Sequence, residues 1–136
     1  MTNLAIRLAL VIPFGEQLVV GGWNQLAPRS FYDDFPTVDL NPPFSDHFAH
    51  DFGSATLGIA LVLAIALVKP KTHYVVPAAL AYSMWSVPHF FFHLFNMEAA
   101  SPGQQVFLTA GNAFVALIGL TPILLALLRD RRREAV

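Results

Sequence analysis

Phe52 to Val68 reads FGSATLGIALVLAIALV, seventeen residues without a charge. Crossing about 30 Å of hydrocarbon takes roughly 20 mostly apolar residues in a helix, and this run meets that length once His47 to Asp51 are added. Three other stretches have the same character. Leu4 to Trp23 carries only Arg7 and Glu16, and Tyr74 to Phe95 and Gln105 to Leu128 carry no Asp, Glu, Lys or Arg. Lipid offers no partner to an unpaired backbone group, so each stretch is expected to be a helix. A barrel is excluded by the lengths and by the lack of strict alternation. The chain therefore reads as all-α, a single transmembrane domain over residues 1–136. It is an integral membrane four-helix bundle with helices at about 4–23, 47–68, 74–95 and 105–128.

Composition agrees. Of 136 residues, 55% are hydrophobic and 12% charged, where a soluble domain has about 45–50% and 25%. Mean hydropathy is +0.54. A small soluble sphere needs more polar residues than that to cover its surface. The formal net charge of −1 gives no basic field for nucleic acid. Cysteine is absent, which excludes disulfides, thiolate catalysis and Cys-ligated zinc or iron–sulfur clusters. The first segment has an early Arg7 but is interrupted by Glu16 and followed by no clear cleavage pattern, so it reads as a retained helix rather than a signal peptide.

Lys and Arg in the short flanks set orientation. Lys69 and Lys71 follow the second segment, Arg129, Arg131, Arg132 and Arg133 follow the fourth, and Arg7 lies near the start of the first. With four spans these fall on one side, which is expected to be cytoplasmic together with both termini. The opposite side holds Arg29 against Asp33, Asp34, Asp39, Asp46 and Glu98. The expected location is the inner (plasma) membrane as a multi-pass protein. The lipid bilayer is its first partner, with a membrane redox partner or a second copy of the chain as further ones. The exoplasmic connection from Asn24 to Asp46 is long. Its Pro28, Pro36, Pro42 and Pro43 speak against helix and central strand. Its Phe31, Tyr32, Phe35 and Phe44 suit a loop folded back over the helix ends, or an aromatic belt at headgroup level.

Ionisable residues at membrane depth are costly and often functional. His47, His50 and Asp51 share one face at the start of the second segment, and Trp85, His89 and His93 share one face of the third. Glu16 lies about 12 residues, or about 18 Å, into the first segment. The assumed topology brings Glu16, His47, His50, Asp51, His89 and His93 to similar depth in the outer half, with Asp51 expected at the centre against His89 or His93. His73 falls on the other side. Pro13, Gly15 and Pro88 place helix breakers beside the cluster.

Imidazole and carboxylate suit a divalent metal, although the Glu-x-x-His pattern of di-iron bundles is missing. Haem between histidines of two helices is the weaker fit. A quinone-like or lipid-like ligand held by the same groups is the third reading. Two functions follow: a membrane protein binding a metal ion or a redox, quinone-like ligand, extending to an oxidoreductase; or a non-catalytic accessory subunit whose polar cluster is a helix-packing hydrogen-bond network, at about 0.6 kcal/mol per bond. Gly53, Gly58, Gly111 and Gly119 read as close-packing positions, with Asn112 giving an interhelical hydrogen bond. Asp33 and Asp34 lack EF-hand spacing. Serine-nucleophile, phosphate-loop and kinase motifs are missing.

From Ile6 to Phe35 the chain resembles the opening of the DoxX-like superfamily of small four-helix bacterial membrane proteins. The resemblance is carried by the apolar first helix and Gly21-Gly22-Trp23-Asn24-Gln25-Leu26, with Pro28 and Phe31 following. Phe31-Tyr32-Asp33-Asp34-Phe35-Pro36, Pro43-Phe44-Ser45-Asp46-His47-Phe48, Asp51-Phe52-Gly53 and the Pro88-His89 to His93 run are similar to an uncharacterised subgroup. It covers the first three helices. It implies the four-helix fold and roles tied to redox partners or to thiol or quinone metabolism. The missing cysteine speaks against direct thiol chemistry.

Overall fold

A computed structural model of the protein describes residues 3–40 and 43–135. All regular structure among them is helical: α1 Asn3–Leu26, α2 Pro28–Asp34, α3 Asp46–Val68, α4 Thr72–Phe95 and α5 Pro102–Glu134, with a 3-10 turn at Val38–Leu40. The four long helices are each long and apolar enough to cross a membrane. They form a ring in which α1 packs mainly on α3 and α4 mainly on α5, with α1–α5 and α3–α4 contacts closing it. The distribution of side chains suits lipid. Leu61, Leu117, Leu124 and Val19 point outward, while Ala60, Ala66, Ala78, Ala79, Ala116 and Ala126 fill the interior. Small residues let helices approach closely where no hydrophobic effect drives them together.

The helices are longer than the apolar runs. Ser101 and Gln104 form a reciprocal capping box that starts α5 before Gln105, and Arg131, Arg132 and Arg133 occupy its last turn, where cations complement the helix dipole. Pro13, Pro77, Pro88 and Pro122 all lie inside continuous helices, as membrane helices tolerate. Three glycines act as close-packing points: a side chain at Gly21 would meet the Gly53 and Leu57 backbone at 3.0 Å, one at Gly53 the Gly21 and Gln25 backbone at 3.0 Å, and one at Gly119 the Tyr82 ring at 2.6 Å. Gly58 and Gly111 face open space, so the close-packing expectation fails for them.

At the basic end, side chains tie the segments together. Arg7 donates from Nε to the Leu67 carbonyl (3.0 Å) and from Nη2 to that of Val68 (3.1 Å), satisfying two of the carbonyls that end α3. Arg129 is only 4% exposed. Its Nη1 donates to Asn3 Oδ1 (2.9 Å) and the Pro70 carbonyl (2.6 Å), its Nη2 to Thr72 Oγ1 (2.8 Å) and its Nε to Asp130 Oδ1 (2.8 Å).

The connection after α1 is more structured than its prolines suggest. Pro28 opens α2 at a position where a missing N–H costs nothing, so α2 forms where a loop was expected. Pro36 lies just past the C-cap, Phe35, and Thr37, at φ 73°, turns the chain into the 3-10 turn. Pro42 lies outside the described residues. Arg29 pairs with Asp33 (2.7 Å) and lies 5.6 Å from the Tyr32 ring and 5.3 Å from that of Phe44. That holds α2 against the chain entering α3.

Candidate functional site

Three of the six expected residues come to one place. Glu16 from α1 and His89 and His93 from α4 line a cavity of about 690 Å³ at the end of the bundle opposite the basic network. Ligand pockets of about 300–1,000 Å³ with mostly apolar walls and a few polar groups are the usual small-molecule site. The walls are rich in aromatics: Phe31 and Tyr32 of α2 and its C-cap Phe35, Phe44 before α3, Phe48 and Phe52 of α3, Trp85 and Phe92 of α4, and Phe107 and Phe114 of α5. Asn24 of α1 and Asn112 of α5 add polar atoms. Asn24 Nδ2 donates to the Val20 carbonyl (2.9 Å).

The α4 face is a continuous stack. Trp85 lies parallel to His89 with ring centroids 5.1 Å apart, and His89 meets His93 edge-on at 4.5 Å. Helical spacing of four aligns these rings, as the sequence predicts. Tyr82 continues the face inward, 5.7 Å from Trp85, and its hydroxyl donates to the Glu16 carboxylate. That bond crosses the ring from α4 to α1 and fixes the carboxylate. Glu16 thus takes a tyrosine, not a histidine. The periodicity of α4 already held the signal, because residues 82, 85, 89 and 93 fall on one stripe.

The other three residues go elsewhere. His47 pairs with Asp51 of its own helix (3.2 Å), and these side chains are 90% and 68% exposed. His50 pairs in the same way with Asp46 (3.8 Å). Asp51 therefore turns outward rather than lying at the centre of a cluster with His89 or His93. The physical reason is local: two His–Asp pairs at i,i+4 satisfy each other on the first turns of α3 without crossing to α4. Ser45 caps this helix, its Oγ accepting from the Phe48 N–H (3.3 Å). The cavity takes Phe48, Ala49 and Phe52 from α3 instead. Among the described residues no group of three or more His, Asp or Glu side chains comes together in a way that would hold a metal ion. Since exposed ion pairs contribute about 0–1 kcal/mol, Asp51→Asn is expected to leave the detergent melting temperature and ligand retention nearly unchanged; a marked loss of either would return Asp51 to the site. His73 lies outside the cavity, its ring tilted 51° against that of Tyr74 with centroids 4.3 Å apart.

His93 also borders a smaller cavity of about 120 Å³, with Asn96 and Glu98. The main cavity is thus largely apolar, rich in aromatic side chains, and polar at Glu16, at His89 and His93, at the two asparagines and at Thr37 and Ser45. Such a site can hold a flat, largely apolar ring and hydrogen-bond its polar edge.

Compared with models of known protein families, with curated proteins and with solved structures, the chain finds no match. The DoxX-like resemblance rests on the residues quoted for it.

Proposed function

We propose that this chain is a four-span membrane protein that binds a quinone-like ring in the aromatic cavity. Kinship with the DoxX-like superfamily belongs to the same reading. The supporting observation is that Trp85, His89 and His93 of α4 and Glu16 of α1 line one largely apolar chamber, with Glu16 held from beneath by the Tyr82 hydroxyl. A ring slots against the aromatic walls, and an imidazole N–H donates to a carbonyl oxygen at its edge. The orientation puts the basic end, with both termini, in the cytoplasm of a bacterial inner membrane and the cavity in the outer half.

The test uses purified protein in lipid nanodiscs. Trp23→Phe leaves Trp85 as the one tryptophan of two, and its fluorescence is followed as a tailless benzoquinone or naphthoquinone is added. Saturable quenching is expected. His89→Leu removes one hydrogen bond of about 0.5–1.5 kcal/mol and should weaken binding by roughly three- to tenfold. Unsaturable quenching, unchanged in His89→Leu, would overturn the proposal. The accessory-subunit reading draws on the Glu16–Tyr82 bond, which also serves packing. It gains if Tyr82→Phe lowers stability while no quinone binds.

A further inference from the structure

Two cavities meet at three residues. Thr37, His93 and Leu108 line both the chamber and the smaller cavity of about 120 Å³. The smaller one lies between the 3-10 turn, at Thr37 and Leu40, and the α4–α5 connection, from Asn96 to Ala100. Asn96 and Glu98 are exposed at its mouth, and His93 and Thr37 form its inner side. A bound water needs two to four polar partners and about 30 Å³. The volume and these four polar side chains therefore suit a cluster of about four waters. The walls are held in place. Gln105 Nε2 donates to the Met97 carbonyl (3.3 Å) and to that of Ala100 (3.0 Å). Opposite them Thr37 keeps its φ of 73°, the one positive value at a non-glycine among the described residues. A β-branched residue takes that conformation only where its surroundings impose it, and such positions cluster at functional sites.

We propose that the smaller cavity is a hydrated vestibule. It binds water among Thr37, His93, Asn96 and Glu98, and through that water it connects the chamber to the aqueous phase at the end of the bundle opposite the basic network. His93 is the ionisable side chain that both spaces share. The other directions do not suit water. Between the Glu16–Tyr82 pair and the Arg129 network, Ile6, Leu10, Leu63, Val75 and Ala126 are fully buried in one apolar cluster. Water crossing it would forfeit its hydrogen bonds. The rim at Phe48, which is 70% exposed, continues into Ala49 and Phe52 and is apolar. The polar groups of the chamber thus meet water from one end of the bundle, through His93. This holds whatever the chamber binds, so it stands apart from the quinone reading.

The chain has no cysteine, so Gly111→Cys places a single thiol in the chamber, at a point where a Cβ meets nothing within 4 Å. The full-length variant in nanodiscs is treated with 2-aminoethyl methanethiosulfonate, a small water-soluble cation, and the adduct is followed by mass. Steady labelling is expected. Leu40→Trp and Ala100→Trp fill the vestibule from different segments. An occluded thiol waits for rare openings, so each filler should slow labelling by about tenfold or more. Ala49→Trp fills the Phe48 rim instead and should leave the rate within about twofold. Melting temperature establishes that each variant is folded, and either filler alone suffices should the other not accumulate. Slowing by Ala49→Trp, with no effect of the fillers, puts the water route at the Phe48 rim and overturns the inference. A thiol labelled by apolar N-ethylmaleimide but not by the cation means a dry chamber and overturns it too, as does a thiol that neither reagent reaches before denaturation. None of these outcomes bears on quinone quenching of Trp85, which is measured without the thiol.

Discussion

Arg129→Ala is expected to lower stability toward detergent melting by about 2–3 kcal/mol, whereas Arg131→Ala changes it by less than about 0.5 kcal/mol. Both residues belong to the same basic tail, and only one is buried. The Arg129 guanidinium reaches the start of α1 through Asn3, the α3–α4 turn through the Pro70 carbonyl, the start of α4 through Thr72 and its neighbour Asp130. Truncation leaves the Pro70 carbonyl and Thr72 without their charged donor, and hydrogen bonds to charged groups are the more costly ones to lose. Lysine keeps the charge but not the planar fork, so Arg129→Lys should recover only part of the loss. The pH dependence carries the same signature. Asp130 accepts from the Thr72 hydroxyl and then from Arg129, and these bonds hold its carboxyl below the usual carboxylate range. A group with a lowered folded-state pKa contributes stability above its unfolded value and loses it as pH falls through the folded value. Melting temperature should therefore decline on the acid side of the ordinary carboxylate range, and Asp130→Asn should flatten that decline. Equal stability of Arg129→Ala and Arg131→Ala would mean that the network does not hold the basic end together.

Arg129 also shows where sequence reading stops. Counting Lys and Arg near the apolar runs places it correctly as part of a basic flank. Counting cannot separate it from Arg131, because only the rotation of α5 decides which side chain faces the α3–α4 turn. The four long helices are legible because each long apolar run has only one solution in lipid, whereas the short α2 is not. The stripe of Trp85, His89 and His93 was legible because four-residue spacing fixes a helical face whatever surrounds it. The expectation for His47, His50 and Asp51 failed one step later. Shared depth is a statement about height alone, and α3 turns those residues away from α4 while presenting Phe48 and Phe52 to the cavity. The missing quantity was the azimuth of α3, which the sites of close approach set. Gly53 lets α3 meet the Gly21–Gln25 stretch of α1, and that contact orients the rest of the helix. In the connection the place of a proline matters more than the number of prolines. Pro28 at the first turn of α2 starts a helix instead of preventing one.

Gly119 is the second position where a large effect is expected, and it links packing to the candidate site. A Cβ there would lie 2.6 Å from Cδ1 and 2.8 Å from Cε1 of Tyr82, and 3.0 Å from Ser83 Oγ. The Tyr82 ring is fully buried, packs against Trp85 and is anchored by its hydroxyl to Glu16, so it has no easy direction of escape. Gly119→Ala should gain the roughly 0.5–1 kcal/mol of helix preference that alanine has over glycine and lose more than that to overpacking, which costs about 1–3 kcal/mol and occasionally more. Gly119→Val adds bulk at the same point and should prevent folded protein from accumulating. Gly111→Ala, on the same helix with nothing within 4 Å of the new carbon, is the matched control and should be neutral or stabilising. Because Tyr82 supports both Glu16 and the Trp85–His89 stack, a Gly119→Ala protein that still folds should bind quinone less tightly, with the Trp85 emission shifted before any ligand is added. Tyr82→Leu in the Gly119→Ala background relieves the clash and should recover stability without recovering binding, since the hydroxyl that holds Glu16 is gone. A Gly119→Ala protein as stable as Gly111→Ala would mean that α4 and α5 are farther apart than described, and the cavity would lose the wall on which its stack is built.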